Sequence, residues 1–188
     1  MQESNSTNPF LPWYNFPLIN FLNQYLQPSM NIFEFGTGTS TLFYASHHCN
    51  VYGVETSIEW LEKIQNLSKT HNLTEKISIE FCTKPHTIET YLTKISHNIK
   101  LNIIIIDSYN RINCLKEAKK LYNSQQFHGI TILDNSERKN IQNAKEIMQE
   151  FAHIHFKGTG PNRNEESESL VFFQKNHKIP LAFSSNIL

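Results

Sequence analysis

Two glycines one residue apart, Gly36 and Gly38, separate the apolar run Ile32-Phe33-Glu34-Phe35 from a second one, Leu42-Phe43-Tyr44-Ala45. Read as strand, turn and helix, this stretch lets backbone N–H groups approach a ligand with no Cβ in the way. The helix N-terminus adds partial positive charge. That chemistry suits a nucleotide-like cofactor, held by Gly36, Thr37, Gly38 and Ser40. The next apolar run, Asn50 to Glu55, ends in a carboxylate about twenty residues downstream, the spacing at which an acid grips ribose hydroxyls. A dinucleotide fingerprint would need glycine at position 41, and the chain has Thr41. Without a ligand, the same pattern is a tight strand–helix turn. Two further apolar runs also end in acids: Leu101 to Ile106 is followed by Asp107, and Gly129 to Leu133 by Asp134-Asn135. Carboxylates so placed can bind hydroxyls, hold a hard cation or accept a proton, and they can also cap the helix that follows.

These residues need elements to position them, and strand and helix patterns alternate along the chain. A helix is expected from Phe16 to about Leu26, capped by Asn15, with Pro17 tolerated in its first turn. Trp13 and Tyr14 just before it are a hydrophobic staple or part of a lid. Strands then fall at 31–35, 51–55, 76–81, 101–107, 129–134, 153–157 and 169–175. Helices fall at 40–48, 57–71, 86–97, 112–124 and 138–151. The β-branched run Ile103-Ile104-Ile105-Ile106 marks a parallel strand buried on both faces, while the polar–apolar alternation of 76–81 marks a strand near the sheet edge. Such alternation gives a doubly wound, Rossmann-like α/β sheet of seven mostly parallel strands. Only some eleven residues join the last two, too few for a crossover, so the last strand should be antiparallel. We expect a single domain over 1–188, with an N-terminal segment and helix at 1–28, the α/β core at 29–175 and a tail at 176–188.

In an open parallel sheet the ligand lies at the carboxyl ends of the strands. The expected site therefore gathers Gly36 to Ser40, Glu55, Cys82-Thr83, Asp107 to Arg111, Asp134 to Arg138 and the 158–169 connection. Composition narrows the chemistry. Lys plus Arg and Asp plus Glu are 17 each, leaving no electrostatic footprint for nucleic acid, so a small-molecule substrate is expected. Cys49, Cys82 and Cys114 fit neither a disulfide framework nor a zinc spacing. With neither a leader-like start nor an apolar run long enough for a membrane span, a soluble cytoplasmic protein is expected. No nucleophile elbow, Walker loop or zinc pattern occurs. His153 and His155 alternate along one strand and read as structural.

The segment Glu34-x-Gly36-x-Gly38 resembles motif I of the class I S-adenosylmethionine-dependent methyltransferases, acidic-x-Gly-x-Gly-x-Gly, with Ser40 in place of the last glycine. The resemblance implies S-adenosylmethionine as cofactor. In it Glu34 shapes the glycine loop, Glu55 holds the ribose, and Cys82-Thr83 stands where an adenine-side acid is often found. Asp107 with Asp134-Asn135 is similar to the chelating set of small metal-dependent O-methyltransferases. That similarity implies a Mg2+ site at Asp107, Asp134 and Asn135 and an acceptor hydroxyl. Asp107 would then contact the cofactor and act as the catalytic base, alone or through the ion. The chain also looks like bacterial methyltransferases that join an aromatic-Pro N-terminal segment to Asp-x-x-x-Arg and Leu-Asp-Asn-Ser motifs. In this fold the N-terminal segment and the Gly158–Arg163 loop would choose the substrate. Two other readings remain: a nicotinamide-dinucleotide oxidoreductase, and a non-catalytic cofactor- or partner-binding protein with a decayed site.

Overall fold

The computed structural model describes residues 10–161, 163–180 and 182–183. Strands β1 (Asn31–Phe35), β2 (Asn50–Glu55), β3 (Ile77–Phe81), β4 (Ile103–Ile106), β5 (Ile130–Asp134), β6 (Ala152–Gly160) and β7 (Arg163–Phe173) form one sheet. Its order is β3-β2-β1-β4-β5-β7-β6. The five strands β1 to β5 run parallel, and β7 is antiparallel to both β5 and β6. The expected fold class is the observed one, and β3 lies at the sheet edge as its alternation predicts.

Period-two alternation sorts the strand side chains between two apolar layers. Ile32, Ile103, Ile105, Ile130 and Ile132 point to one face with Leu18, Phe21 and Leu22 of α1 (Phe16–Tyr25). Leu42 and Phe43 of α2 (Thr39–Ser46) and Ile64 of α3 (Ile58–Thr70) share that layer. Phe33, Phe35, Ile104, Ile106 and Leu133 point to the other face. There they meet Leu92 of α4 (Thr90–Ser96), Leu115, Ala118 and Leu121 of α5 (Arg111–Asn123) and Ala144 of α6 (Ala144–Ile147). Strand β4 feeds both layers, which is why its sequence is apolar throughout. No helix among the described residues is long and apolar enough to cross a membrane.

Two elements depart from expectation. The helix expected over 138–151 is a 3-10 turn at Lys139–Ile141 followed by the single turn of α6. Only Ile141, Ala144 and Met148 bury apolar side chains there, and Asn140 and Asn143 favour local turns over helix. The connection expected as a loop between 157 and 169 is instead strand. β6 and β7 pair as far as Gly160↔Arg163, while β7 pairs with β5 only from Ser169 to Phe172. A two-stranded ribbon thus projects past the carboxyl end of the sheet. Its residues Glu165-Glu166-Ser167-Glu168 carry no apolar alternation, so periodicity could not mark them. Cross-strand pairs hold them, with Lys157 Nζ 3.5 Å from Glu166 and 3.4 Å from Glu168, and His155 Nε2 3.0 Å from Glu168.

The N-terminal segment is fastened to this ribbon. Asn15 caps α1 by accepting from the Leu18 N–H at 3.0 Å, and its amide donates to Ser169 Oγ, also at 3.0 Å. The tail docks on α1, where Phe183 packs edge-on to Phe21 at 5.2 Å and Tyr25 Oη lies 2.8 Å from His177 Nε2. Residues 1–9 and 184–188 lie outside the described residues.

Candidate active site

The glycine loop is built from buried carboxylates upward. Glu34 shares the face of Ile32 on β1 and is wholly buried. Its two oxygens accept from Ser40 Oγ, at 2.7 Å, and from Thr41 Oγ1. Thr41 Oγ1 in turn accepts from the Gly38 N–H at 3.2 Å. One acid thereby fixes the first turn of α2. Burial pushes the Glu34 carboxyl up to about 8, against the pull of the two hydroxyl donors; the charges of Asp107 and Glu55 add to the rise. Thr41, which in a dinucleotide fold would be glycine, is a structural partner of Glu34, and the sequence alone gave no sign of that pairing.

Glu55 at the end of β2 fixes the other half of the loop. Its Oε2 accepts from Thr37 N at 2.8 Å and Thr37 Oγ1 at 3.1 Å; its Oε1 accepts from Thr56 N at 2.7 Å and Ser57 N at 2.9 Å. Four donors from the chain itself match the roughly four lone-pair sites of a carboxylate. A ribose diol at this position would share Glu55 with Thr37.

A cleft of about 160 Å3 opens over these parts. Its walls are Gly36 to Ser40, Asp107 at the end of β4, Trp13 and Tyr14 before α1, and Trp60 on α3. Trp13 meets Trp60 edge to face at 5.9 Å, and Tyr14 receives the Tyr44 hydroxyl at 3.4 Å. Trp13 and Tyr14, expected as a hydrophobic staple or part of a lid, line this cleft. Trp60 escaped the sequence reading. It shares the apolar face of α3 with Ile64 and Leu67 and packs against the core layer, so its pattern reads as core; a large aromatic five residues past a strand-end acid was the available signal. Cys82 is buried and its thiol lies 3.3 Å from Lys84 O, so it does not line this cleft. His155 is paired with Glu168 on the ribbon.

The corner between β4 and β5 corrects the expected metal site. Asp107, Asp134 and Asn135 are brought together, but a guanidinium lies among them. Arg111 Nη2 donates to Asp107 Oδ1 and, at 3.2 Å, to Asn135 Oδ1. Its Nε donates to Asp134 O at 3.2 Å and its Nη1 to Ser108 O at 2.6 Å. Arg138 Nη2 adds a second donor to Asn135 Oδ1 at 2.8 Å, and Asp134 Oδ1 accepts from Ser169 Oγ at 2.7 Å. Oxygen donors that face guanidinium and hydroxyl hydrogens do not fit a hard cation needing about six oxygen ligands. Among the described residues no group of three or more His, Cys, Asp or Glu is placed to hold a metal ion. Burial, with the nearby Asp107 charge, raises the Asp134 carboxyl to about 7 despite its Ser169 and Arg111 partners.

No protein-family model matches the chain, and no curated protein sequence does. Solved structures do. An O-methyltransferase from Bacillus cereus in complex with S-adenosylhomocysteine superposes with a TM-score of 0.62 at 16% identity, over 78% of this chain and 74% of that one. An rRNA methylase from Streptococcus thermophilus gives 0.59 at 14% identity, over 84% and 93%. A precorrin-6y C5,15-methyltransferase from Geobacter metallireducens gives 0.55 at 12% identity, over 85% and 87%. At these identities the likeness is one of fold, and the fold is that of the class I S-adenosylmethionine-dependent methyltransferases.

Proposed function

We propose that the protein is an S-adenosylmethionine-dependent methyltransferase acting on a small molecule. The observation that carries this reading is the cleft where the Gly36–Ser40 loop, Asp107, Trp13 and Trp60 meet at the carboxyl ends of the strands. The loop brings backbone within reach of the amino-acid end of such a cofactor, as does the N-terminus of α2. The indole faces offer an electron-rich wall for a cationic group. Bound S-adenosylmethionine supplies a methyl group already activated by its sulfonium. The chain's task is then to orient the acceptor, exclude water and, where needed, take a proton. Asp107 is the residue we assign to that work, because it alone of the strand-end acids lines the cleft, and Arg111 fixes its carboxylate.

The mouth supports a small, partly apolar acceptor. Among the described residues the exposed large hydrophobics are Trp13, Phe16, Ile58, Phe81 and Tyr109. Trp13 is a cleft wall and Phe16 follows it at the start of α1, while the other three end or follow strands β2, β3 and β4. A balanced charge gives a nucleic acid little to grip. A cofactor-free binding protein is the second reading, favoured by the internal pairing of both Glu34 and Glu55.

The test is calorimetric titration with S-adenosylhomocysteine, and separately with NAD, of the parent and of Gly38→Ala. A Cβ at Gly38 would meet nothing within 4 Å, so this variant should melt like the parent. It should nevertheless bind S-adenosylhomocysteine at least about tenfold more weakly, about 1.4 kcal/mol, because the methyl projects from the loop toward the ligand. A folded parent that binds neither compound would favour the cofactor-free reading. Tight NAD binding with none of S-adenosylhomocysteine would overturn the assignment.

A further inference from the structure

We infer that Arg111 is the resident cation of the β4–β5 corner, and that its guanidinium holds the place a divalent ion would otherwise take. Four of its five N–H donors are engaged, by Asp107 Oδ1, Asn135 Oδ1, Asp134 O and Ser108 O. Its side chain is only 10% exposed, so the charge is locked among these partners and cannot swing out to admit an ion. Arginine keeps its proton at every ordinary pH, and its positive charge repels a second cation from the same oxygens.

Asn135 supplies an independent sign of this arrangement. It sits at φ +54 beyond β5, a left-handed conformation that asparagine adopts readily. Its amide oxygen faces both Arg111 and Arg138, and its Nδ2 is buried with no partner among the described residues. Turning the amide over would set NH2 against two guanidinium groups. The side chain is therefore held by the arginines at the expense of its own donor, an arrangement made for two fixed cations rather than for an exchangeable ion. The consequence is that Asp107 is aimed by a covalently attached charge, and an acceptor is oriented by Asp107 without chelation. The orienting of an acceptor rests on the proposed function, whereas the place of Arg111 at this corner does not.

Mn2+ titration followed by the electron paramagnetic resonance signal of the free ion tests it without any turnover assay. The parent should leave the Mn2+ signal unattenuated at millimolar ion. Arg111→Ala, checked for folding by its melting transition, should bind Mn2+ at least about tenfold more tightly than the parent. Adding Asp107→Asn to that variant should abolish the gain. Should the alanine variant not fold, Arg111→Met keeps the aliphatic stem in place and carries the same expectation. Stoichiometric Mn2+ binding by the parent that Asp107→Asn removes would overturn the inference. So would a folded Arg111 variant with no gain in Mn2+ affinity.

Discussion

Gly36 and Gly38 stand in one turn for opposite reasons. Gly36 has φ +82, and a Cβ there would lie 2.4 Å from the carbonyl oxygen of Asp107. Glycine is required by the protein itself, because the end of β4 passes directly over the turn. Gly36→Ala should lose at least about 2 kcal/mol in denaturant unfolding, from left-handed strain plus the clash. A variant as stable as the parent would mean that the turn and the β4 end can part freely. Gly38 is extended and unobstructed, so its lack of a side chain matters to what enters the cleft. Glu34 adds a pH signature. Its carboxyl is held at about 8 by burial, so the folded state binds this proton more tightly than the unfolded chain does. The sign follows: the parent loses stability as pH rises from near the unfolded carboxyl value through about 8, and the loss is complete above it. Measured against Glu34→Gln, which cannot titrate, the stability gap should move in the variant's favour between pH 5 and pH 9. A gap independent of pH would show that Glu34 stays ionised beneath Ser40 and Thr41.

At the scale of elements, the polar chain Asn15–Ser169–Asp134 ties α1 to β7 and β5. Asn15 is at once an N-cap and a buried cross-link, with its donor aimed at Ser169 Oγ. Ser57 caps α3 at the rim, accepting from Trp60 N at 3.3 Å. Ser57→Ala should therefore cost about 1 kcal/mol, the usual worth of a cap. Asn15→Ala should cost roughly twice that or more, since it also strips buried partners of a donor. Equal losses in equilibrium unfolding would show that the link to the ribbon contributes nothing. Because Trp13 and Tyr14 directly precede Asn15, the same anchor sets the wall of the cleft. The close approach of a Cβ at Gly160 to Tyr14 O, 2.3 Å, shows how tightly the ribbon backs that wall.

Across the whole molecule, one end of the sheet carries the cleft and both faces carry the core. Parallel strands place every strand-end acid at the same edge, so Glu55, Asp107 and Asp134 converge although they are far apart in sequence. Sheet class, the edge place of β3, the antiparallel last strand and the glycine turn were all legible in the sequence, whereas the strand order came from the tertiary structure. They depend on local signals: two-fold alternation, continuous β-branched runs, and turns that only glycine accommodates. Side-chain partners across the sheet leave no periodic trace. Asp107, Asp134 and Asn135 carry oxygens suited to a cation in any reading of the chain. Only the tertiary structure places the guanidinium of Arg111 among them, one helical turn past Asp107. The ribbon of β6 and β7 was hidden because cross-strand ion pairs rather than apolar alternation hold it. Trp60 was hidden because its contact with Trp13 joins segments 47 residues apart, counted from the sequence. Covalent order fixes which residues can share a face; the packing of one segment on another decides which charges and rings meet.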